Sequence, residues 1–238
     1  AILPRLSRAA RSEDTKTSRA TMDEGIGLAL ALTLPAAAAL GVAPGFLIEG
    51  FFTRGAFLTS DANNAGLALM HYAWGVPAFV LIKVLAPAYF AHEDTKTPMA
   101  FALWSVVINT VLGAGLFFWL QSNGAYGFPG LAIATSVAAW VNVIFLFSGL
   151  IKRGWYTPGP RLVSRLVRAL LATMMMAVVL VAVLHYRTLI ETHIYDSKLV
   201  VTMIFILFGM MTYAISAIIT GAVRISDLKG LVRRRAVE

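Results

Sequence analysis

The sequence predicts an all-α polytopic membrane protein with six transmembrane helices, and three observations support this prediction. The 238 residues are 58% hydrophobic and only 13% charged, with a mean hydropathy of +0.76. Soluble domains are about one quarter charged. The apolar residues form long runs, each of a length that crosses ~30 Å of hydrocarbon at ~1.5 Å per helical residue. The charged residues cluster in the short segments between these runs.

The first predicted span covers residues 25–48. It follows a polar loop at residues 5–24 and precedes the first outer loop. Pro35 lies inside this span and is expected to break or kink the helix, while a neighbouring helix satisfies the carbonyl that proline frees. Residues 1–4 are typical of the end of a preceding helix, and the chain lacks an initiator methionine. We therefore expect a fragment of a longer protein. A short loop containing Arg54 follows the span.

The second predicted span, residues 62–91, differs from the others because it contains a charge. Lys83 lies within it, between Pro77 and Pro87. These prolines favour an interrupted helix, and interrupted helices often line transport cavities. After a tight polar turn, the third span occupies residues 98–120.

The fourth predicted span covers residues 124–151 and leads into a basic loop. The fifth covers residues 162–186, with arginines near its start that are expected to snorkel towards the interface. The sixth covers residues 199–223, and a basic tail completes the chain at residues 224–238.

The distribution of basic residues predicts the orientation. The net charge is +8, and the basic residues lie mainly in short loops, which disfavours nucleic acid as the partner. Sixteen lysines and arginines fall on one side of the predicted topology and three on the other, so both ends are expected in the cytoplasm. The chain has no cysteine, which excludes disulfides and thiolate metal sites. No catalytic constellation is present, so we expect neither an enzyme nor a cofactor.

Lys83 is the sharpest functional candidate, and two interpretations stay open for it. It lies near the inner edge of the hydrocarbon, where a lysine can snorkel to the interface. Alternatively, it faces a water-filled cavity and meets an anionic head group, because charges within a span are expensive and usually functional.

Several polar residues lie deep in the third and fourth spans: Asn109, Thr135, Ser136 and Asn142. Such residues usually join helices by hydrogen bonds. Their oxygens also suit a hard cation, although no carboxylate accompanies them in these two spans. At the turn before the third span, Asp94 or Thr95 is expected to cap the helix by accepting from its first amides.

Motifs along the first two thirds of the chain resemble the MurJ (MviN) lipid II flippase family. The most specific match is the segment 81–98, LIKVLAPAYFAHEDTKTP. Further similar positions are Leu3-Pro4, Leu6-Ser7, Leu34-Pro35, Arg54-Gly55, Phe57, Thr59, Asp61, Gly130-Leu131-Ala132 and Asn142.

This resemblance implies a two-lobe exporter fold of fourteen helices, of which the chain would supply helices nine to fourteen and the end of the eighth. Residues 1–24 would hold that helix end and a cytoplasmic loop, and residues 25–151 four helices of the C-terminal lobe. Residues 152–223 would form two additional C-terminal helices with a basic linker, and residues 224–238 a cytoplasmic tail.

The resemblance further implies that the whole protein flips lipid II, the undecaprenyl-linked peptidoglycan precursor, across the bacterial inner membrane by alternating access. It would thereby serve peptidoglycan synthesis, cell-wall biogenesis and cell shape. The expected partners are this lipid-linked precursor, membrane lipids and the missing N-terminal lobe. The alternatives are an exporter of another polyprenyl-linked glycan and a membrane scaffold subunit without transport. A membrane enzyme acting on a lipid carrier is weakened by the missing acid, base or metal set.

Lys83, Arg54 and Lys96 are the candidate substrate-binding residues. The resemblance places the family's essential arginines mostly in helices absent here, so it implies no full substrate site in this chain. Asn109 and Thr135 lie where some members of the superfamily hold sodium, so the coupling ion is expected to be sodium or a proton. Gly113, one turn after Asn109, offers no carboxylate to such a site.

Overall fold

A computed structural model of the chain describes residues 15–52, 59–186 and 198–222. These residues form eight helices and no strand. The helices are α1 (Thr15–Val42), α2 (Pro44–Phe52), α3 (Thr59–Ala73), α4 (Val76–Ala91), α5 (Lys96–Ser122), α6 (Phe128–Lys152), α7 (Pro160–His185) and α8 (Lys198–Ile219). With α3 and α4 taken as one span, six are long and apolar enough to cross a membrane. The predicted fold class is therefore confirmed.

Helix α6 lies at the centre of the described helices and packs against α3, α4 and α5. Helix α4 lies between α6 and α1, and α7 packs against the other side of α1. Helix α8 packs on α7 and α2. Helix α5 lies at the periphery, because it contacts α6 extensively and α4 only slightly. Its outer face carries exposed large apolar side chains such as Leu103, Trp104 and Val111, as expected of a helix that faces lipid.

Small residues allow the close packing of α6. Gly130, Ala132, Ala134, Ala138 and Ala139 are all buried in it. Lipid tails are as apolar as leucine, so burial of apolar surface does not drive helices together in a membrane, whereas close backbone approach and hydrogen bonds do. The alanine-rich face of α6 is what brings three other helices within contact distance.

The first helix begins earlier than the sequence predicted. Residues 5–24 were expected to form a loop, but α1 already starts at Thr15, so that expectation is wrong for residues 15–24. The physical reason is that the start of α1 packs into the core and against the segment after α6. Met22 and Ile26, one turn apart, are buried in the main core, and Asp23 accepts a hydrogen bond of 2.5 Å from the Tyr156 hydroxyl.

Pro35 does not end the helix, because it lies inside α1, and the kink expected there stays a prediction. The helix ends instead at Val42, directly before Pro44. Proline lacks the N–H that continues the helical ladder, and it disfavours the helical conformation of the residue before it. The second span is likewise interrupted between Ala73 and Val76, whereas Pro87 lies inside α4 without ending it.

The carbonyl that Pro35 frees does find a donor on a neighbouring helix, as expected. A helical proline cannot donate to the carbonyl four residues earlier, which here belongs to Ala31. The Tyr213 hydroxyl of α8 donates to that oxygen at 2.7 Å. The last helix is thus fixed to the first at the point where the first lacks a backbone hydrogen bond.

We expect Tyr213→Phe to destabilise the protein by about 1 kcal/mol, because the Ala31 carbonyl then lacks its donor. In a Pro35→Ala background the amide of residue 35 supplies that donor, so the same tyrosine substitution should cost almost nothing. The measurement is a double-mutant cycle on thermal unfolding of the purified full-length protein in detergent. Equal costs in both backgrounds would contradict this account.

A second contact fixes α8 to α2. A Cβ added to Gly50 would lie only 1.9 Å from Thr202 Oγ1, so only glycine allows this approach. The Thr202 side chain is fully buried there, and its hydroxyl oxygen has no hydrogen-bond partner among the described residues. At the same end, Lys198 pairs with Glu49 at 2.6 Å.

Candidate functional site

The interruption between α3 and α4 is stabilised by side chains of α6. The backbone N–H of Gly75 donates to the Tyr72 carbonyl at 2.9 Å, which closes a tight turn. The Ser136 hydroxyl donates to the His71 carbonyl at 2.8 Å, and the indole N–H of Trp140 donates to the Trp74 carbonyl at 2.9 Å. Backbone carbonyls at a break within a membrane need such partners, because hydrocarbon offers none.

Gly75 allows α6 to approach the break closely. A Cβ at this position would lie 2.4 Å from Ser136 Oγ and 3.1 Å from Ser136 Cα. The Gly75 backbone has ordinary helical angles, so contact rather than conformation demands a glycine. The interhelical hydrogen bond expected of Ser136 is confirmed, whereas its partner on α3 and the role of Trp140 depend on the tertiary structure.

Lys83 lies on the face of α4 that no other described helix covers. The faces of α4 towards α1 and α6 bury Leu81, Val84, Leu85 and Tyr89. Lys83 and Phe90, two turns apart, are exposed. We call the line from Lys83 through Pro87 to Phe90 the α4 strip. Lys83 is eight residues before the end of α4, a depth of ~12 Å along the helix axis.

Within the part of the chain that the structure describes, no carboxylate pairs with Lys83. Pro87 lies one turn further along the same strip and is half-buried. Its ring nitrogen carries no hydrogen, so it cannot donate to the Lys83 carbonyl. The strip therefore combines an unpaired ammonium group with a backbone acceptor that lacks its usual donor.

A polar cluster lies at the turn between α4 and α5. Asp94 accepts from the Thr97 backbone N–H at 3.0 Å, which confirms that it caps α5. Arg153, just after α6, pairs with Asp94 and donates to Thr97 Oγ1 at 2.8 Å. Its guanidinium lies 4.8 Å from the ring centroid of Trp155, within the range of a cation–π contact. Lys96 is exposed beside this cluster.

The segment after α6 is attached to α1 as well. Asp23 accepts from Tyr156 and, at 3.4 Å, from the Gly159 backbone N–H. Arg19 donates to the Pro158 carbonyl at 2.9 Å. Burial and the neighbouring Asp23 carboxylate raise the pKa of Tyr156 well above its usual value, so its hydroxyl stays protonated and donates. The segment after α6 thus joins the starts of α1 and α5 to the end of α4.

We expect the contribution of Asp94 to stability to disappear in acid. Hydrogen bonds from the Thr97 hydroxyl, Arg153 and the Thr97 amide hold the pKa of Asp94 well below its usual range. A lowered native pKa means that the contribution is complete above about pH 4 and is lost as the pH falls through the native value. The stability difference between wild type and Asp94→Asn, measured by denaturation from pH 7 to pH 3, should stay constant down to about pH 4 and then shrink. A constant difference down to pH 3 would exclude this role.

The two residues expected to bind a cation do meet. Thr135 Oγ1 lies 3.3 Å from Asn109 Oδ1, but it also donates to the Leu131 carbonyl at 2.8 Å. Among the described residues, no group of three histidine, cysteine or acidic side chains could hold a metal. Asn142 is buried, and within the described part of the chain its Oδ1 has no hydrogen-bond partner. Arg54 lies outside the described residues.

Comparison with known proteins identifies relatives of the chain. Residues 1–198 match the family described as "Lipid II flippase MurJ". A "Probable lipid II flippase MurJ" of Rhizobium meliloti (strain 1021) is 39% identical over 179 residues, which cover 75% of this chain and 32% of that protein. One of the same description from Rhizobium tropici is 34% identical over 236 residues, which cover 98% of this chain and 43% of that protein. The chain thus spans less than half the length of these relatives.

The fold has a solved counterpart, a "Lipid II flippase MurJ, inward closed conformation". The two structures align with a TM-score of 0.66 over 92% of this chain and 42% of the other, at 22% sequence identity. This similarity supports the fold, and the family match extends over most of the chain, including the interrupted helix and Lys83. The chain therefore belongs to the lipid II flippase MurJ family.

Proposed function

We propose that this chain is the C-terminal part of a transporter that flips lipid II across the bacterial inner membrane. The observation that carries the proposal is Lys83, a cation of an interrupted helix that lies on a face no described helix covers and has no carboxylate partner among the described residues. Relatives of the same family are named lipid II flippases. A pyrophosphate-linked lipid needs a cationic group at membrane depth, because its charge would otherwise cross hydrocarbon unpaired.

In this proposal, the uncovered face of α4 turns towards an N-terminal lobe that lies outside this chain. Lys83 contacts the pyrophosphate of the substrate within the cavity between the lobes. Lys96 and Arg54 attract it at the inner and outer entrances, respectively. The helices α7 and α8 accommodate the polyprenyl tail, and the protein transports its substrate without chemical change. The sixteen-to-three distribution of basic residues favours both ends of the chain in the cytoplasm.

Asn109 and Thr135 remain the candidates for a coupling cation. Both side-chain oxygens point into the contact between α5 and α6, where a sodium ion could replace the weak hydrogen bond between them. Two neutral oxygens are few for a hard cation, so further ligands would come from backbone carbonyls or from the other lobe.

The test is flipping by the full-length protein in reconstituted vesicles. Fluorescent lipid II is placed in one leaflet and its appearance in the other is followed, with protein-free vesicles as the control. A second polyprenyl-linked glycan is assayed in parallel. Flipping of lipid II in preference to the second glycan supports the proposal. Preference for the second glycan would indicate a different exporter, and flipping of neither would favour a scaffold without transport.

A further inference from the structure

Two prolines, Pro35 and Pro87, lie within the body of a described helix. The two carbonyls that lose an amide donor to these prolines differ in whether a side chain replaces it. The Ala31 carbonyl, freed by Pro35, accepts from the Tyr213 hydroxyl at 2.7 Å. The Lys83 carbonyl, freed by Pro87, receives no hydrogen bond from any side chain in the part of the chain that the structure describes. Two carbonyls at the break before α4, those of His71 and Trp74, likewise have donors from α6. The Lys83 carbonyl thus lacks both the amide donor of residue 87 and a side-chain donor from the described residues.

A backbone carbonyl without its amide donor restricts the environment of α4 more than an unpaired lysine side chain does. A lysine ammonium group at this depth can extend along its flexible stem towards the interface. A backbone oxygen cannot move in this way, and exposing it to hydrocarbon costs several kcal/mol. Both groups belong to one residue and lie on the exposed α4 strip. The carbonyl therefore favours the second interpretation of Lys83, in which the strip faces water or a polar ligand rather than lipid.

We propose that Lys83 and Pro87 together form a two-part binding subsite for a phosphate-linked sugar. The Lys83 ammonium group binds a phosphate oxygen, and the carbonyl that Pro87 leaves open accepts a hydrogen bond from a hydroxyl or amide N–H of the attached sugar. This inference rests on the proposed function and adds a recognition element for the sugar. Pro87 has no backbone N–H to donate to the Lys83 carbonyl, so that carbonyl stays available to the ligand. Pro87 is therefore a positioning residue and does not contact the ligand.

The first arm of the test asks whether the strip faces water. Lys83→Cys is made in a full-length background without other cysteines, to which this chain contributes none. A membrane-impermeant maleimide should label position 83. Leu103→Cys is the matched control, because Leu103 is 66% exposed and lies seven residues from the inner end of α5. This depth is close to that of Lys83. Labelling of position 103 only, or of neither position, would overturn the inference.

The second arm separates the two halves of the subsite by binding to the full-length protein in nanodiscs. The probes are lipid II and the same polyprenyl pyrophosphate without its sugars. Pro87→Ala restores a backbone donor to the Lys83 carbonyl, so it should weaken lipid II binding about three- to tenfold, the equivalent of one hydrogen bond. Binding of the sugar-free carrier should not change. Lys83→Met should weaken binding of both probes.

Pro35→Ala is the control for removing a proline from a span, and it should bind both probes as the wild type does. Unchanged lipid II binding by Pro87→Ala would overturn the carbonyl subsite, as would an equal loss for both probes. Labelling of Lys83→Cys in the Pro87→Ala background shows whether α4 has turned, and a lost label would also overturn the assignment. A wild-type protein that neither binds nor flips lipid II would refute the proposed function itself, which is a separate result.

Discussion

Lys83→Met in the full-length protein should reduce lipid II flipping about ten- to a hundredfold. The loss corresponds to one charge-assisted contact of about 1.5–3 kcal/mol. Methionine keeps most of the apolar stem, so the packing of α4 is preserved and only the ammonium group is removed. The measurement is the initial rate of lipid II flipping in vesicles with equal amounts of folded protein.

Lys83→Arg is the control that keeps the charge, and it should retain much of the activity. The two interpretations of Lys83 predict opposite results. A lysine that only snorkels contributes no contact to the substrate, so its replacement by methionine should leave the flipping rate unchanged. Normal flipping by Lys83→Met would therefore remove Lys83 from the substrate site, whatever the result for the charge-preserving variant.

Gly75→Ala should destabilise the protein by about 1–3 kcal/mol, the usual cost of an extra methyl group in a closely packed contact. The added Cβ would meet Ser136, including its Cα at 3.1 Å, so rotation of the serine side chain cannot relieve the whole contact. Separation of α6 from the break would also weaken the hydrogen bond from Ser136 to the His71 carbonyl. The measurement is the Tm of the purified full-length protein in detergent.

Gly115→Ala is the matched control, because it is the same substitution on a helix of the same lobe. A Cβ at Gly115 meets no atom within 4 Å, and alanine favours a helix interior over glycine by about 1 kcal/mol. Its Tm should therefore equal or exceed that of the wild type. Equal Tm changes for the two variants would show that the contact between Gly75 and Ser136 has no special effect on stability.

The sequence alone determined the membrane class, the number of spans and most of their positions. These properties depend on composition along the chain, since about twenty apolar residues are needed to cross hydrocarbon wherever the helix packs. The span predicted at residues 98–120, for example, corresponds to α5 at Lys96–Ser122. Asp94 as the cap of α5 was predictable for the same reason, because capping depends on residues close in the chain.

The tertiary structure decided where helices break and which polar groups meet. A proline removes one hydrogen bond, but whether the helix ends there depends on what its neighbours supply. Tyr213, far along the chain, provides a donor beside Pro35, and the helix continues. At Gly75, two residues before Pro77 in the first turn of α4, close packing of α6 and donors from Ser136 and Trp140 stabilise the break. The exposure of Lys83 likewise depends on how α1 and α6 pack around α4, because periodicity along the chain does not say which face of a helix its neighbours cover.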